Sequence, residues 1–207
     1  MTDENNNRMI TVALIVVILI AAVTLLYINL PEENSNSEDQ TSNNIPEDTT
    51  VIFSLIYEDT TLEYTLSELE DLEEYTGSGS YIKTKLLPDT VLINGPWDFV
   101  GVRISKLLDQ ISSIPENYNI TFTASDGWTS EYTKNQVLGE IDLYNESGNV
   151  TGNEGATMIL AYKQDGDYIP EGEDEAGPLR VAFIGGDIIT GSNLWAKMVI
   201  SMQIVEV

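Results

Sequence analysis

The sequence predicts an α+β domain built mostly from antiparallel or mixed β-sheet, with a few short helices and one transmembrane helix before it. Segments with the two-residue period of strands outnumber segments with a helical period by about eight to three. These segments do not alternate in the strand–helix–strand order that builds parallel sheets. An apolar run lies near the start of the 207-residue chain, and the part that follows it has the size of one ordinary domain.

The N-terminal region contains a polar stub, residues 1–9, and then an uncharged apolar run, Ile10–Ile28. A helix over this run would be about 28 Å long, close to the ~30 Å hydrocarbon core of a bilayer. We therefore predict a membrane-spanning helix over residues 10–30. Its N-terminus is expected in the cytoplasm, because Arg8 precedes the run and acidic residues follow it. A cleaved signal peptide is the alternative.

The rest of the chain is predicted to form a stalk and one folded domain outside the cytoplasm. Residues 31–50 are almost wholly polar and predict a flexible acidic stalk. Residues 51–207 form the domain. Its predicted strands are Val51–Tyr57, Thr61–Thr65, Tyr81–Leu87, Val91–Ile93, Tyr118–Ala124, Thr157–Lys163, Leu179–Ile184 and Leu194–Val207.

Three short helices are predicted between these strands. The first runs from about Glu68 to Tyr75, with Ser67 and Glu70 as a capping box, and ends at Gly77–Gly79. The second is the amphipathic run Ile104–Ile111, with Ser105 as a possible cap. The third is a helical turn at Lys134–Leu138, and Asp142–Gly155 is expected to be a loop.

Composition excludes several kinds of chemistry. The chain has no cysteine and no histidine, so it lacks thiolate nucleophiles, disulfides and the commonest general base. Its net charge of -25 opposes binding to nucleic acid. There are two interpretations of such an acidic surface: it keeps the protein solvated, or it attracts cations or a basic partner. The composition is consistent with both.

Five sequence blocks, in this order, resemble the oxidoreductase molybdopterin-binding domain, which has the sulfite-oxidase-like fold. The blocks are GPWDFVGVRISKLL (Gly95–Leu108), ITFTASDGWTSEYT (Ile120–Thr133), MILAYKQDGDYIP (Met158–Pro170), GPLRVAF (Gly177–Phe183) and LWAKMVISMQIVEV (Leu194–Val207). The resemblance implies this fold and makes molybdopterin a possible cofactor. Catalytic members bind molybdenum through a cysteine thiolate, and many place a histidine just before the GPLR block. This chain has neither residue.

The blocks contain the candidate ligand-binding residues. Arg180, between two apolar residues, offers a fork of donors for a phosphate or carboxylate, or it forms a structural pair with a nearby acid. Ser125, Asp126, Gly127 and Trp128 present a hydroxyl, a carboxylate, backbone N–H groups and an indole face. The alternative for these four is a simple turn, with Asp126 bonding the local backbone and Gly127 at positive φ.

Two further groups of residues are candidates of lower specificity. Trp97 and Trp195 are expected either to stack on a ligand or to fill the core. An acidic hairpin offers oxygen ligands for Ca²⁺, although its spacing is not that of an EF-hand loop. These weak candidates are Asp165, Asp167, Glu173 and Asp174.

Three functions follow from these observations. The first is a membrane-anchored, non-catalytic module that binds a small ligand or a protein partner. The second is a molybdopterin-dependent oxidoreductase, or a subunit of one, that uses no cysteine ligand. The third is a surface protein stabilised by Ca²⁺. No residue is predicted to be catalytic.

Overall fold

The structure, a computed structural model, describes residues 49–83, 91–171 and 176–207. The predicted stub, the transmembrane helix and nearly all of the stalk lie outside these residues. So do Glu173 and Asp174. No helix in the described ranges is long and apolar enough to cross a membrane.

The described residues form thirteen strands and three short α-helices. The strands are β1 (Val51–Tyr57), β2 (Thr60–Thr65), β3 (Glu74–Lys83), β4 (Leu92–Arg103), β5 (Tyr118–Ala124), β6 (Thr129–Thr133), β7 (Leu143–Tyr144), β8 (Val150–Gly152), β9 (Thr157–Gln164), β10 (Asp167–Tyr168), β11 (Arg180–Ile184), β12 (Ile189–Gly191) and β13 (Val199–Glu206). The helices are α1 (Leu66–Glu70), α2 (Ile104–Leu108) and α3 (Lys134–Val137), with a 3-10 turn at Ser192–Leu194.

Two sheets and one small hairpin organise these strands. The first sheet has the order β2-β1-β13-β5-β6, and the second has the order β10-β9-β4-β3-β12, with β11 also paired to β9. β1 runs parallel to β13, and β12 runs parallel to β3, while the other pairs are antiparallel. The predicted mixed, mostly antiparallel sheet with few helices is therefore confirmed.

The core takes its side chains from both sheets. On β5, every second residue from Tyr118 is buried, as expected for a strand with one face against the core. All five residues of β11 are buried, which requires cover on both faces. The buried apolar residues of the two sheets form one continuous cluster. The domain thus has a single core.

The first helix begins two residues earlier than predicted and is shorter. Its N-cap is Thr65, whose side chain accepts from the backbone N–H of Glu68 while the Glu68 carboxylate accepts from Thr65 N–H. Thr65 and Glu68 have the same spacing as the predicted pair Ser67 and Glu70, and the sequence alone did not separate the two registers. The chain then enters β3, so that Gly77–Gly79 lies inside a strand and does not end a helix.

Other boundaries also differ from the predictions. α2 ends at Leu108, and its N-cap Arg103 makes no side-chain cap, so Ser105 is not the cap. β4 continues through Gly95–Arg103, a stretch that the sequence did not predict as strand. The expected loop at Asp142–Gly155 contains the β7–β8 hairpin. The final strand begins at Val199, because Ser192–Leu194 forms the 3-10 turn.

Candidate functional site

Arg180 is a charged side chain that lies almost wholly inside the domain, with only 3% of it exposed. It begins β11, where it pairs with Ala161 of β9. Its Nη1 donates a hydrogen bond of 2.9 Å to Oε1 of Gln164. Its Nε and Nη2 are buried and make no hydrogen bond with the residues that the structure describes. Two adjacent N–H donors, along one edge of the guanidinium, therefore have no acceptor there.

Two aromatic rings pack against the guanidinium. Its central carbon lies 5.4 Å from the ring centre of Phe99 on β4 and 5.2 Å from that of Trp195. A separate hydrogen bond orients the Trp195 indole: its Nε1 donates to Oγ1 of Thr190 at 2.7 Å. Cation–π contacts of this kind offset part of the free energy lost when a charge leaves water. They leave the N–H groups without acceptors.

The charge on Arg180 has no ionic partner among the residues that the structure describes. Burial lowers the pKa of Arg180 to about 10, and the neighbouring Tyr81 opposes this effect only in part. No acidic side chain forms an ion pair with it within residues 49–83, 91–171 and 176–207. The expected alternative, a structural pair with an acid, is thus not found in this part of the chain. The side chain still carries its proton at neutral pH.

A cavity of about 290 Å³ opens beside Arg180. Its residues come from β3, β4 and β9 of the second sheet, from the segments around β10 and β11, and from the segment before β13. They are Tyr81, Trp97, Gln164, Asp167, Tyr168, Ile169, Pro170, Ala176, Arg180 and Lys197. The Tyr81 ring lies 5.4 Å from that of Trp97 and 5.2 Å from that of Trp195, so the wall is aromatic on one side. We call this space the Arg180 cavity.

Ser125 and Asp126 lie at a different cavity. That cavity is larger, about 650 Å³, and is more open, and apolar residues such as Val51, Pro178 and Ile200 line it. None of its lining side chains is a buried charge without a partner. Size alone would favour this space, but the unpaired donors favour the Arg180 cavity as the specific site.

The Ser125–Trp128 segment has the geometry of the turn alternative. Asp126 Oδ1 accepts from the backbone N–H of Trp128 at 2.9 Å, and Gly127 has φ +86°. A Cβ at Gly127 would meet nothing within 4 Å, so only the backbone angle requires glycine. The Trp128 side chain is 71% exposed. The structure therefore separates these four candidates from Trp97 and Arg180.

The described calcium candidates take part in local backbone structure. Asp165 Oδ1 accepts from the backbone N–H of Asp98 at 2.9 Å, and Asp165 N donates to the Asp98 carbonyl at 2.7 Å. Asp167 lines the Arg180 cavity. Among the residues with described positions, no group of three or more acids could hold a metal ion. Glu173 and Asp174 lie outside those positions, so the calcium hypothesis stays a prediction.

Sequence reasoning proposed Arg180, Trp97 and Trp195 as candidates but missed the residues that complete their surroundings. Gln164 lies within reach of Arg180 only because β9 pairs with β11, in a register that places Ala161 opposite Arg180. Tyr81 approaches Trp97 because β3 and β4 are neighbours. Strand pairing brings these residues together from distant positions in the chain, and no local spacing in the sequence signals it.

Comparison with known proteins supports the fold. No family model matches the sequence, and no curated protein matches it. A solved structure that is similar is the sulfane dehydrogenase SoxCD from Paracoccus pantotrophus, with a TM-score of 0.51 and 14% sequence identity. The match covers 75% of this chain and 38% of that one, so this chain spans well under half of its relative. At this identity the likeness shows the fold alone, and it supports the sulfite-oxidase-like fold that the five blocks predict.

Proposed function

We propose that this protein is a non-catalytic, membrane-anchored module that binds a small anionic ligand outside the cytoplasm. The observation that carries the proposal is the buried Arg180 guanidinium, with two N–H donors that lack acceptors among the described residues. Buried polar groups in folded proteins are nearly always hydrogen-bonded. A buried charge beside a cavity, with donors that lack acceptors in the described part of the chain, is therefore best explained by an acceptor that a ligand provides.

The stability of the domain gives a second argument. Burying a cation without an acid partner is unfavourable, and an apolar side chain of similar volume would serve the core at least as well. Phe99 and Trp195 compensate the charge only in part. An arginine at this place is thus better suited to binding than to holding the fold together.

The second function, a molybdopterin-dependent oxidoreductase, has the fold in its favour. The residues of the Arg180 cavity do not fit the cofactor of catalytic members of that family. The chain contains no cysteine to give molybdenum a thiolate, and the described lining of the cavity includes only two cationic side chains, Arg180 and Lys197. We therefore assign no redox step to this protein.

The membrane anchor is proposed from the sequence. The uncharged run Ile10–Ile28 is long enough for one crossing, and the polar residues after it provide a spacer. The acidic composition suits a domain that faces an aqueous compartment and stays away from anionic lipid headgroups. Cell fractionation with an epitope at the C-terminus, followed by protease treatment of intact cells, would test this topology.

The binding proposal is tested by titration of the full chain, purified in detergent, with small oxyanions. Acetate, benzoate, phosphate and sulfate are added at constant ionic strength, so that general screening of charge does not change. We expect at least one of them to raise the melting temperature, because binding to the native state alone stabilises it by mass action. The Arg180→Met variant should show no such rise.

Arg103 provides the matched control. It is half-buried, pairs with Glu73 and packs over Tyr75 at 5.0 Å, away from the lining of the Arg180 cavity. Arg103→Met should retain the response to anions. An equal response in wild-type and Arg180→Met protein, or none from any anion, would contradict the binding proposal.

A further inference from the structure

We propose that the ligand of the Arg180 cavity is a planar aromatic monocarboxylate. This inference rests on the proposed function, since it specifies the class of anion that the same cavity accepts. Three properties of the cavity lead to it: the shape of the donor edge, the charge of the lining residues, and the aromatic wall.

The donor edge matches a carboxylate. The Nε–H and Nη2–H groups of a guanidinium lie side by side in one plane, and a carboxylate presents two oxygens at the same spacing. Nη1 is held by Gln164 at 2.9 Å, which fixes the plane of the fork. The rings of Phe99 and Trp195 restrain the guanidinium further. A ligand thus meets donors whose orientation is already set.

The charge of the lining favours one negative charge on the ligand. Among the lining residues that the structure describes, Arg180 and Lys197 are cationic and Asp167 is anionic, which gives a formal charge of about +1. A monoanion neutralises this charge. A dianion would leave an uncompensated negative charge in a half-enclosed space, within a protein whose net charge is -25. Phosphate monoesters are therefore disfavoured relative to carboxylates.

The wall favours a flat ring. Tyr81 and Trp97 are half-buried, and both line the cavity, with their ring centres 5.4 Å apart. Ile169, Pro170 and Ala176 supply further apolar surface. Aromatic side chains stack well on planar groups, whereas a small hydrated anion gains nothing from them. The volume of about 290 Å³ suits a single-ring acid.

The test compares benzoate, acetate and phenyl phosphate by calorimetric titration of the full chain at neutral pH. We expect benzoate to bind at least about tenfold more tightly than acetate and than phenyl phosphate. Trp97→Leu should reduce the preference for benzoate over acetate, because it removes part of the wall. Trp128→Leu is the matched control: this exposed tryptophan lies outside the lining of the cavity, and its loss should leave the preference unchanged.

The outcomes separate this inference from the proposed function. If phenyl phosphate or inorganic phosphate binds as tightly as benzoate, and Arg180→Met abolishes that binding, the cavity is an anion site but the inference is wrong. If acetate binds as tightly as benzoate, the aromatic wall has no role and the inference is again wrong. If none of these anions binds to the wild-type protein, both the inference and the proposed function are overturned.

Discussion

Arg180 is the residue on which the proposed binding depends, and its surroundings explain why. Gln164, Phe99 and Trp195 fix its position, yet none of them is an anion. A guanidinium held in this way is oriented for a carboxylate before the ligand arrives, which reduces the loss of conformational entropy on binding. The sequence predicted that Arg180 either binds a ligand or pairs with an acid. Only the strand register around Arg180 showed that the side-chain amide of Gln164, and not an acid, accepts a hydrogen bond from the guanidinium.

The pH dependence of benzoate binding follows from the pKa of Arg180, which burial lowers to about 10. Below that pH the guanidinium is charged and the affinity should be constant down to about pH 6. Above it the proton is lost from the unliganded protein, and the affinity should fall by up to about tenfold per pH unit. Titration calorimetry between about pH 7 and 11, with circular dichroism to verify folding, measures this. A constant affinity up to about pH 11 would contradict the lowered pKa of Arg180.

Tyr132 gives a second prediction at this scale. Its ring is fully buried, its hydroxyl donates to the Leu194 carbonyl at 2.9 Å, and burial raises its pKa above the usual value. At neutral pH, Tyr132→Phe should lower the free energy of unfolding by about 1–3 kcal/mol, because the carbonyl loses its donor. Urea unfolding of the two proteins measures the difference.

The same variant should behave differently in base. Above about pH 10 the unfolded tyrosine ionises while the folded one retains its proton, so the folded state binds more protons and loses stability as the pH rises. Phenylalanine has no such titration. The stability gap between wild-type and Tyr132→Phe protein should therefore shrink above about pH 10. A gap that stays constant to about pH 11.5 would contradict the assignment of a raised pKa.

At the scale of elements, the sequence predicted several strands to within one residue, among them β1, β9 and β11. Tyr118–Ala124 alternates cleanly, and β5 has these bounds. The helical turn predicted at Lys134–Leu138 was also found as α3, where the structure adds a capping box formed by Thr133 and Gln136. Strand β4 was missed over Gly95–Arg103, since its glycines and proline indicate a turn when only local propensity is read.

Close packing between β4 and β9 explains why β4 has a glycine at position 101, and this glycine gives a prediction about strand packing. A Cβ at Gly101 would lie 2.3 Å from the Leu160 carbonyl oxygen and 2.6 Å from the Cα of Ala161 on the neighbouring β9. The register between the two strands shifts at this point. Gly101→Ala should therefore lower the free energy of unfolding by about 1–3 kcal/mol through overpacking.

Gly152 is the matched control for that substitution. It lies on the exposed strand β8, and a Cβ there would meet nothing within 4 Å. Gly152→Ala should leave the free energy of unfolding unchanged or raise it by roughly a few tenths of a kcal/mol. The rise is expected because alanine lowers the backbone entropy of the unfolded chain. Chemical denaturation of both variants gives the comparison. Equal effects of the two substitutions would show that β4 and β9 are not packed as closely as described.

At the scale of the whole molecule, the five blocks predicted the fold, and a solved structure with a TM-score of 0.51 supports it. The place of the proposed binding site was only partly predictable. The blocks contain Arg180 and Trp97, which line one cavity, and Ser125 and Asp126, which line another. Sequence order does not reveal which blocks meet in space, since pairing between distant strands decides it.

The molybdenum content of the native protein separates the two main functions at this scale. Elemental analysis by mass spectrometry of the full chain, purified from its own host without chelator, should find neither molybdenum nor tungsten near one atom per chain. The reason is that the chain offers no thiolate and no imidazole ligand. About one atom of either metal per chain would support the oxidoreductase instead.

The most direct test of the central claim is the stability of Arg180→Met in the absence of any added anion. If Arg180 serves a ligand, replacing this cation, which forms no ion pair with the described residues, by an apolar side chain should leave the free energy of unfolding unchanged or raise it by about 1–4 kcal/mol. Urea unfolding of the full chain, in a buffer without carboxylate or phosphate, measures this. A loss of about 3 kcal/mol or more, or a failure to fold, would mean that Arg180 is part of the structural core and would contradict the claim.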